Sequence, residues 1–138
     1  MTRINIIPVK ELFDQHLIAE YREITMVPAA LKRTLNSKHG LNISKINKKY
    51  KLNDGHVYFF YNKGKYLNKR YKEIVEEMKY RGFNPNPNRK FPKKIFIKNN
   101  LYEDWAPTIE DFKIIRERIQ LKIREKPNWY RKTIKWFS

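Results

Sequence analysis

The chain has 138 residues, in which 31 Lys and Arg outnumber 14 Asp and Glu, and it contains no cysteine. The missing cysteine excludes disulfide bonds, thiolate metal sites and thiol nucleophiles. The formal net charge of +17 indicates a polyanionic partner, for which we favour nucleic acid over a membrane surface. No apolar run is long enough for a transmembrane span or a signal peptide, so we expect one cytoplasmic domain over residues 1–138.

The first predicted helix covers Asp14–Leu35 and is broken near its middle. Asp14 is a suitable N-cap, and apolar residues then recur at helical spacing at Leu17, Tyr21 and Ile24. Pro28 lacks an amide donor and clashes with the preceding turn of a regular helix, at a cost of about 3 kcal/mol. We therefore predict a kink near residues 25–27, with Pro28 in the first turn of a second helical piece.

Two further helices are predicted after it. One covers Lys63–Arg81 and stops at Gly82, and the other covers Thr108–Lys126, with Thr108 as its cap and Pro127 as its stop. Their apolar stripes consist of Leu67, Tyr71, Ile74, Val75 and Met78 in the former and of Ile109, Phe112, Ile115, Ile119 and Ile123 in the latter. These segments predict an all-α domain of three main helices with long irregular connections.

The connections at 36–62 and 83–106 lack the apolar periodicity that predicts the three helices. The first contains the apolar run Val57–Tyr61, which has the composition of a strand but no second strand to pair with, so we expect an extended, buried segment. The second, Phe83–Ala106, is rich in Asn, Pro and Lys. Loops of this length are uncommon in compact domains unless they are functional.

The predicted first helix also carries the residues best suited to metal binding. His16, Glu20 and Glu23 stand at i, i+4 and i+7, so they share one helix face. Such a set could bind a metal ion, but we favour a solvated or hydrogen-bonded face without metal. His56, which precedes the apolar run, is interpreted as a structural residue.

The N-terminus offers a different kind of nucleophile. A small second residue such as Thr2 generally permits removal of the initiator Met1, which leaves a free α-amine. An α-amine has an ordinary pKa of about 7.7–8.0, far below that of lysine, so a useful fraction is neutral at physiological pH. Such an amine can form a Schiff base with a sugar aldehyde carbon, although many unrelated proteins also begin with Met-Thr.

Five short sequence blocks, in chain order, bear on the role of this N-terminal amine. They are MTRIN at 1–5, DQHLIAEYRE at 14–23, HVYFFYNKGKYL at 56–67, RGFN at 81–84 and KPNWYRK at 126–132. Together they resemble the pyrimidine dimer DNA glycosylase family, the phage endonuclease V type of dimer-specific glycosylase and AP lyase. The resemblance is collinear over essentially the whole chain.

The resemblance implies a single helical domain whose N-terminal segment is held between helices. It implies an enzyme that needs neither metal nor cofactor and acts on double-stranded DNA containing pyrimidine dimers. From the size of the chain we expect a monomer. In such an enzyme Thr2 is the nucleophile and Glu23 the catalytic carboxylate. The amine attacks C1′ of the 5′ nucleotide of a cyclobutane dimer and forms an imine, and β-elimination then nicks the strand.

The resemblance also implies which residues contact DNA. By position in this sequence they are Arg3, Gln15, His16, Arg22, Arg33, Arg118, Lys122, Trp129 and Tyr130. Residues 24–26 depart from the family pattern, because Ile-Thr-Met stands where many members carry Leu-Pro-Arg. Met26 thus replaces an arginine that contacts and kinks the DNA, a departure that leaves Thr2 and Glu23 untouched.

A non-catalytic alternative stays open at this point. The same composition suits a basic DNA- or RNA-binding protein of a phage or a nucleoid, which would bind phosphates without cleaving them. Thr2 and the block ending in Glu23 favour the enzyme, because a protein that only binds has no need for them. A metal nuclease built on His16, Glu20 and Glu23 is a more distant alternative.

Overall fold

The computed structural model describes residues 3–133. Over this range the chain forms short 3-10 turns and six α-helices without a β-strand, which confirms the predicted all-α class. The helices are α1 (Asp14–Glu23), α2 (Met26–Leu35), α3 (His56–Phe59), α4 (Gly64–Tyr80), α5 (Lys94–Lys98) and α6 (Ile109–Glu125). No helix within the described range is long and apolar enough to cross a membrane.

The predicted break in the first helix is confirmed. α1 ends at Glu23, and α2 begins at Met26, with Pro28 buried in its first turn. Proline is tolerated there because amide groups of a first turn have no partner within the helix. The predicted N-cap is wrong by one residue: Phe13 is the N-cap and Asp14 is the first helical residue, because the Asp14 carboxylate bonds to Arg81 and Thr133 instead.

The two later helices lie within one residue of their predicted bounds. Thr108 caps α6 through a capping box with Asp111, in which each side chain bonds to the other residue's backbone N–H. The predicted stripe of α6 is wrong at its first position. Ile109 is 85% exposed, whereas Ile115 and Ile119 are buried.

The predicted extended segment at 57–61 is also wrong, because it is helical. α3 (His56–Phe59) continues into a 3-10 turn at Phe60–Asn62. A buried segment without a neighbouring strand must satisfy its amides locally, and a helical turn does so. The segment is nevertheless central to the core, since Phe59 and Phe60 are fully buried.

The N-terminal segment is held between α1 and α4, as the resemblance implied. Its residues Ile4 to Ile7 are all buried. On the α1 side, the backbone N–H of Asn5 donates to Glu20 Oε1 at 3.0 Å. On the α4 side, Arg70 donates to the Ile7 carbonyl at 2.5 Å and pairs with the Glu20 carboxylate at 2.6 Å.

The connection at 83–106 is more ordered than predicted, since it contains α5 and contributes Phe91 and Phe96 to the core. Gly64, at the start of α4, permits this packing. A Cβ atom at that position would collide with the Phe96 ring. The long connection therefore closes the core on the α4 side.

Candidate active site

A cleft of about 320 Å³ opens where the N-terminal segment, α1 and α6 approach one another. Its lining residues are Arg3, Asn5, His16, Ala19, Glu23, Asn53, Arg118 and Lys122. Five of them carry predicted roles: Arg3, His16, Glu23, Arg118 and Lys122. Helix geometry explains part of this convergence, because His16 and Glu23 are seven residues apart on α1, and Arg118 and Lys122 are four apart on α6.

Glu23, the last residue of α1, is the carboxylate of the cleft. Burial raises its pKa, and the nearby Glu20 charge acts in the same direction. The charge of Arg3 and a hydrogen bond from the Arg3 backbone oppose this rise without cancelling it. Glu23 is thus joined to the N-terminal segment and holds its proton more readily than an exposed glutamate.

Three cationic side chains, Arg3, Arg118 and Lys122, line the same cleft as this carboxylate. Arg3 is partly buried, and burial together with the charge of Arg118 lowers its pKa. Lys122 lies one helical turn from Arg118 on α6 and approaches Glu125 only loosely, at 3.9 Å. The cleft therefore combines one carboxylate with a concentration of positive charge, a pattern suited to a polyanion with a reactive centre.

His16 lines the cleft and is covered by the C-terminal segment. Its ring stacks on Tyr130, with centroids 4.8 Å apart and an angle of 17° between the planes. Burial lowers the pKa of His16, and the Arg3 charge lowers it further, which favours the neutral ring. Among the described residues, His16 Nδ1 and Arg118 Nε are buried polar atoms without a hydrogen-bond partner.

Gln15 lies outside the cleft lining and binds the C-terminal segment. Its Nε2 donates to the Trp129 carbonyl at 2.6 Å, and its Oε1 accepts from the backbone of Arg131 at 3.0 Å. Asp14 extends the attachment through its backbone N–H, which donates to the Arg131 carbonyl at 2.6 Å. The first turn of α1 thereby holds Tyr130 against His16.

The other predicted DNA contacts lie on the surface. Arg22 and Arg33 are exposed on α1 and α2, outside the cleft. Trp129 is 53% exposed and meets Tyr130 edge-on at 5.0 Å. Met26 is half exposed at the start of α2. None of these residues lines the cleft.

The alternative of a metal site on His16, Glu20 and Glu23 is not supported, because Glu20 is already bound within the protein. Glu20 is fully buried, and its two oxygens accept from Arg70 and from the Asn5 backbone. Within residues 3–133, no group of three or more His, Cys, Asp or Glu side chains could hold a metal ion. Glu20 serves to anchor the N-terminal segment instead.

Two cleft residues are not apparent from sequence spacing. Asn53 has a φ of 63° and lies in the turn that leads into α3. Asn-Asp-Gly at 53–55 signals a turn, but nothing local places that turn beside α1. Asn5 enters the cleft through the bound N-terminal segment. Thr2, the predicted nucleophile, lies outside the described residues.

The chain was also compared with models of known protein families. A family model described as pyrimidine dimer DNA glycosylase matches residues 1–91. The matched range includes the N-terminal segment, Glu23 and Arg70, whereas α6 and the segment after it lie beyond it. Since the match covers more than half of the chain, this protein belongs to the pyrimidine dimer DNA glycosylase family.

Proposed function

We propose that this protein is a dimer-specific DNA glycosylase with AP lyase activity and that the α-amine of Thr2 is its nucleophile once Met1 is removed. The amine attacks C1′ of the 5′ nucleotide of a cyclobutane pyrimidine dimer, and the bond from C1′ to the base breaks. The sugar ring then opens to an imine. Loss of a C2′ proton and of the 3′ phosphate cleaves the strand by β-elimination.

The observation that carries this proposal is the shared position of Arg3 and Glu23. Arg3 directly follows Thr2 in the chain, its backbone bonds to Glu23, and both residues line one cleft. The residue before Arg3 is at most about 4 Å away along the chain, Cα to Cα. An amine at Thr2 would therefore reach the neighbourhood of the carboxylate.

Glu23 suits the charge that this reaction develops. Displacement of the base makes the sugar carbon electron-poor, and a nearby carboxylate stabilises that positive charge. The imine that follows is also cationic. Because burial raises the Glu23 pKa, this group can also exchange a proton during base loss or elimination.

We also propose that the cations of the cleft activate the amine and bind DNA phosphates. Arg3, Arg118 and Lys122 would lower the pKa of a nearby α-amine, since like charges disfavour protonation. They would also bind phosphates beside the lesion, and Arg22 and Arg33 would extend that contact along the backbone. Phosphate contacts of this kind give a steep salt dependence and permit scanning of undamaged DNA.

Lesion recognition is proposed to rest on DNA shape. A dimer already weakens pairing, which reduces the cost of a few kcal/mol for flipping a nucleotide. Trp129 is exposed and Tyr130 covers His16, so these aromatic side chains would meet unstacked bases. Deformability would supply selectivity without contacts to base edges.

Strand nicking of ultraviolet-irradiated plasmid in the presence of a chelator tests the proposal. We expect nicking of irradiated but not undamaged plasmid, and we expect Glu23→Gln to reduce it by at least about 100-fold, the scale of a lost acid–base or electrostatic contribution. Glu117→Gln is the matched control, because Glu117 is exposed on α6 and does not line the cleft. Binding without nicking would instead support the non-catalytic alternative.

A further inference from the structure

The backbone of Ile4 is held from two sides by side chains that have no role in the proposed chemistry. His56 Nε2 accepts a hydrogen bond from the Ile4 N–H at 2.9 Å, and the Tyr50 hydroxyl donates to the Ile4 carbonyl at 3.0 Å. Ile4 is fully buried, while His56 and Tyr50 are 2% and 3% exposed. We call His56 and Tyr50 the Ile4 clamp.

The partners of His56 define its protonation state. Its Nδ1 lies 2.8 Å from the carbonyl oxygen of Lys51, which can only accept, so Nδ1 must carry the proton. Its Nε2 faces the N–H of Ile4, which can only donate, so Nε2 must be bare. Only the neutral ring with its proton on Nδ1 satisfies both contacts.

The surroundings of His56 favour that neutral form. Burial lowers its pKa, and the charge of Arg3 acts in the same direction. The hydrogen bond to Lys51 and the charge of Glu20 oppose this shift but do not reverse it. Two aromatic rings pack against it as well: Tyr50 and Phe60 meet the His56 ring edge-on at 5.4 Å and 5.3 Å.

We propose that His56 and Tyr50 are positioning residues that fix the place of the N-terminal amine through the backbone of Ile4. The inference rests on the proposed role of Thr2, which precedes Ile4 by two residues and is therefore within about 7 Å of it along the chain. The clamp sets where the Arg3 backbone meets Glu23. Protonation of His56 would turn Nε2 into a donor facing the Ile4 donor and would open the clamp.

His56→Phe is the variant that removes the clamp while keeping a ring. It leaves the Ile4 N–H and the Lys51 carbonyl without their partner. We expect the single-turnover rate of borohydride trapping on abasic-site DNA, measured at saturating protein, to fall about 10- to 100-fold, because small displacements of a reacting group cost that much. His56→Gln keeps an acceptor near Ile4 and should recover part of the rate, and Tyr50→Phe should lower it less than His56→Phe.

Tyr61→Phe is the matched control. Tyr61 is 5% exposed, and its hydroxyl bonds to Thr34 Oγ1 at 3.1 Å, away from the N-terminal segment. This variant loses one hydrogen bond of a buried tyrosine but should trap at the wild-type rate. Melting temperature checks folding, and affinity for duplex DNA with a tetrahydrofuran abasic analogue, which cannot form an imine, should be unchanged in every variant.

The pH profile separates positioning from a general structural role. Above the ordinary histidine pKa of about 6.5, the ratio of the wild-type to the His56→Gln rate should be constant. At lower pH the wild type alone opens its clamp, so that ratio should fall. Titration of the amine and of Glu23 is common to both proteins and cancels in the ratio.

The outcomes are distinguishable. A folded His56→Phe protein that traps at the wild-type rate overturns the inference and leaves the proposed function standing. If His56→Phe does not fold, wild-type rates and an unchanged pH profile in His56→Gln and Tyr50→Phe overturn it equally. A wild-type protein that forms no adduct contradicts the role of Thr2 itself, and the inference falls with it.

Discussion

Glu20–Arg70 joins α1 to α4, and Asp14–Arg81 joins α1 to the residue that caps the C-terminal end of α4, but the two pairs hold opposite ends of the chain. Glu20 and Arg70 are buried with almost no exposed side-chain surface, and they bind the backbone of Asn5 and Ile7. Arg81 is equally buried, but the Asp14 side chain is 11% exposed and binds Thr133 as well. The first pair belongs to the region matched by the family model, whereas the second reaches a segment beyond it.

The two ion pairs therefore have different structural roles, although both involve α1. The Glu20–Arg70 pair positions the segment that leads to Arg3 and the cleft, and its bonds have no access to solvent. The Asp14–Arg81 pair fastens the C-terminal segment that places Tyr130 on His16. Perturbing the first should therefore cost stability and chemistry together, and perturbing the second should loosen the aromatic cover while the fold persists.

The largest expected effect is that of Arg70→Met. It leaves the Glu20 carboxylate buried without its cation, and removing one member of a buried pair costs about 3–5 kcal/mol. Chemical denaturation should show this loss in the free energy of unfolding. The double variant Glu20→Met with Arg70→Met should recover part of it, because no unpaired charge then remains. A loss below about 1 kcal/mol in the single variant would contradict the assigned role of the pair.

Asp14→Asn should have a smaller effect. The amide keeps an oxygen that accepts from Arg81 and from the Thr133 backbone, but without the charge that strengthens these bonds, and its NH2 group cannot accept from the Thr133 hydroxyl. Arg81 also keeps its pairing with Glu77 at 2.8 Å. We expect a loss of about 1.5–3 kcal/mol in denaturation. Limited proteolysis should cleave the C-terminal segment sooner than in the wild type, and equal protection of the two proteins would count against this attachment.

The stability that Asp14 contributes should depend on pH in the acid range. Burial raises the Asp14 pKa, but hydrogen bonds from Thr133 and Arg81 outweigh it, so the pKa is lowered overall. Its contribution is complete above the unfolded-state pKa of about 3.9 and is lost as the pH falls through the lower folded-state pKa. The stability difference between wild type and Asp14→Asn should shrink below about pH 4. A difference that stays constant down to pH 2 would be inconsistent with this linkage.

Thr133→Val should have the smallest effect. It removes the hydroxyl that donates to Asp14 Oδ2 at 2.5 Å, while the backbone N–H still donates to Oδ1 at 3.0 Å. A loss of about 0.5–1.5 kcal/mol is expected for one such bond near the surface. Thermal unfolding at neutral pH would detect it. An effect as large as that of Asp14→Asn would mean that Arg81 contributes little to holding Asp14.

Local patterns predict the long helices well. Apolar spacing, Thr108 and Gly82 define α4 and α6 to within a residue, and Pro28 predicts the break between α1 and α2. The face shared by His16 and Glu23 follows from helix geometry alone. The helical state of residues 56–59 does not follow from local patterns. Aromatic and β-branched residues favour strands, and the segment is helical only because it has no strand to pair with.

Contacts between distant segments could not be predicted. The Glu20–Arg70 pair joins residues 50 apart in sequence, and the bond from His56 to Ile4 joins residues 52 apart. Asn53 and α6 reach the cleft by the same kind of long-range packing. The proposed catalytic roles rest on the family resemblance, whereas the anchors of the N-terminal segment are visible only in the folded chain.

Reductive trapping tests the central claim most directly. Protein whose Met1 is confirmed absent is mixed with dimer-containing duplex and borohydride, and the adduct is digested and mapped by mass spectrometry. The predicted result is a single covalent adduct on the α-amine of Thr2, formed with chelator present. An adduct on a lysine, or strand cleavage without any trapped adduct, would contradict the proposed mechanism.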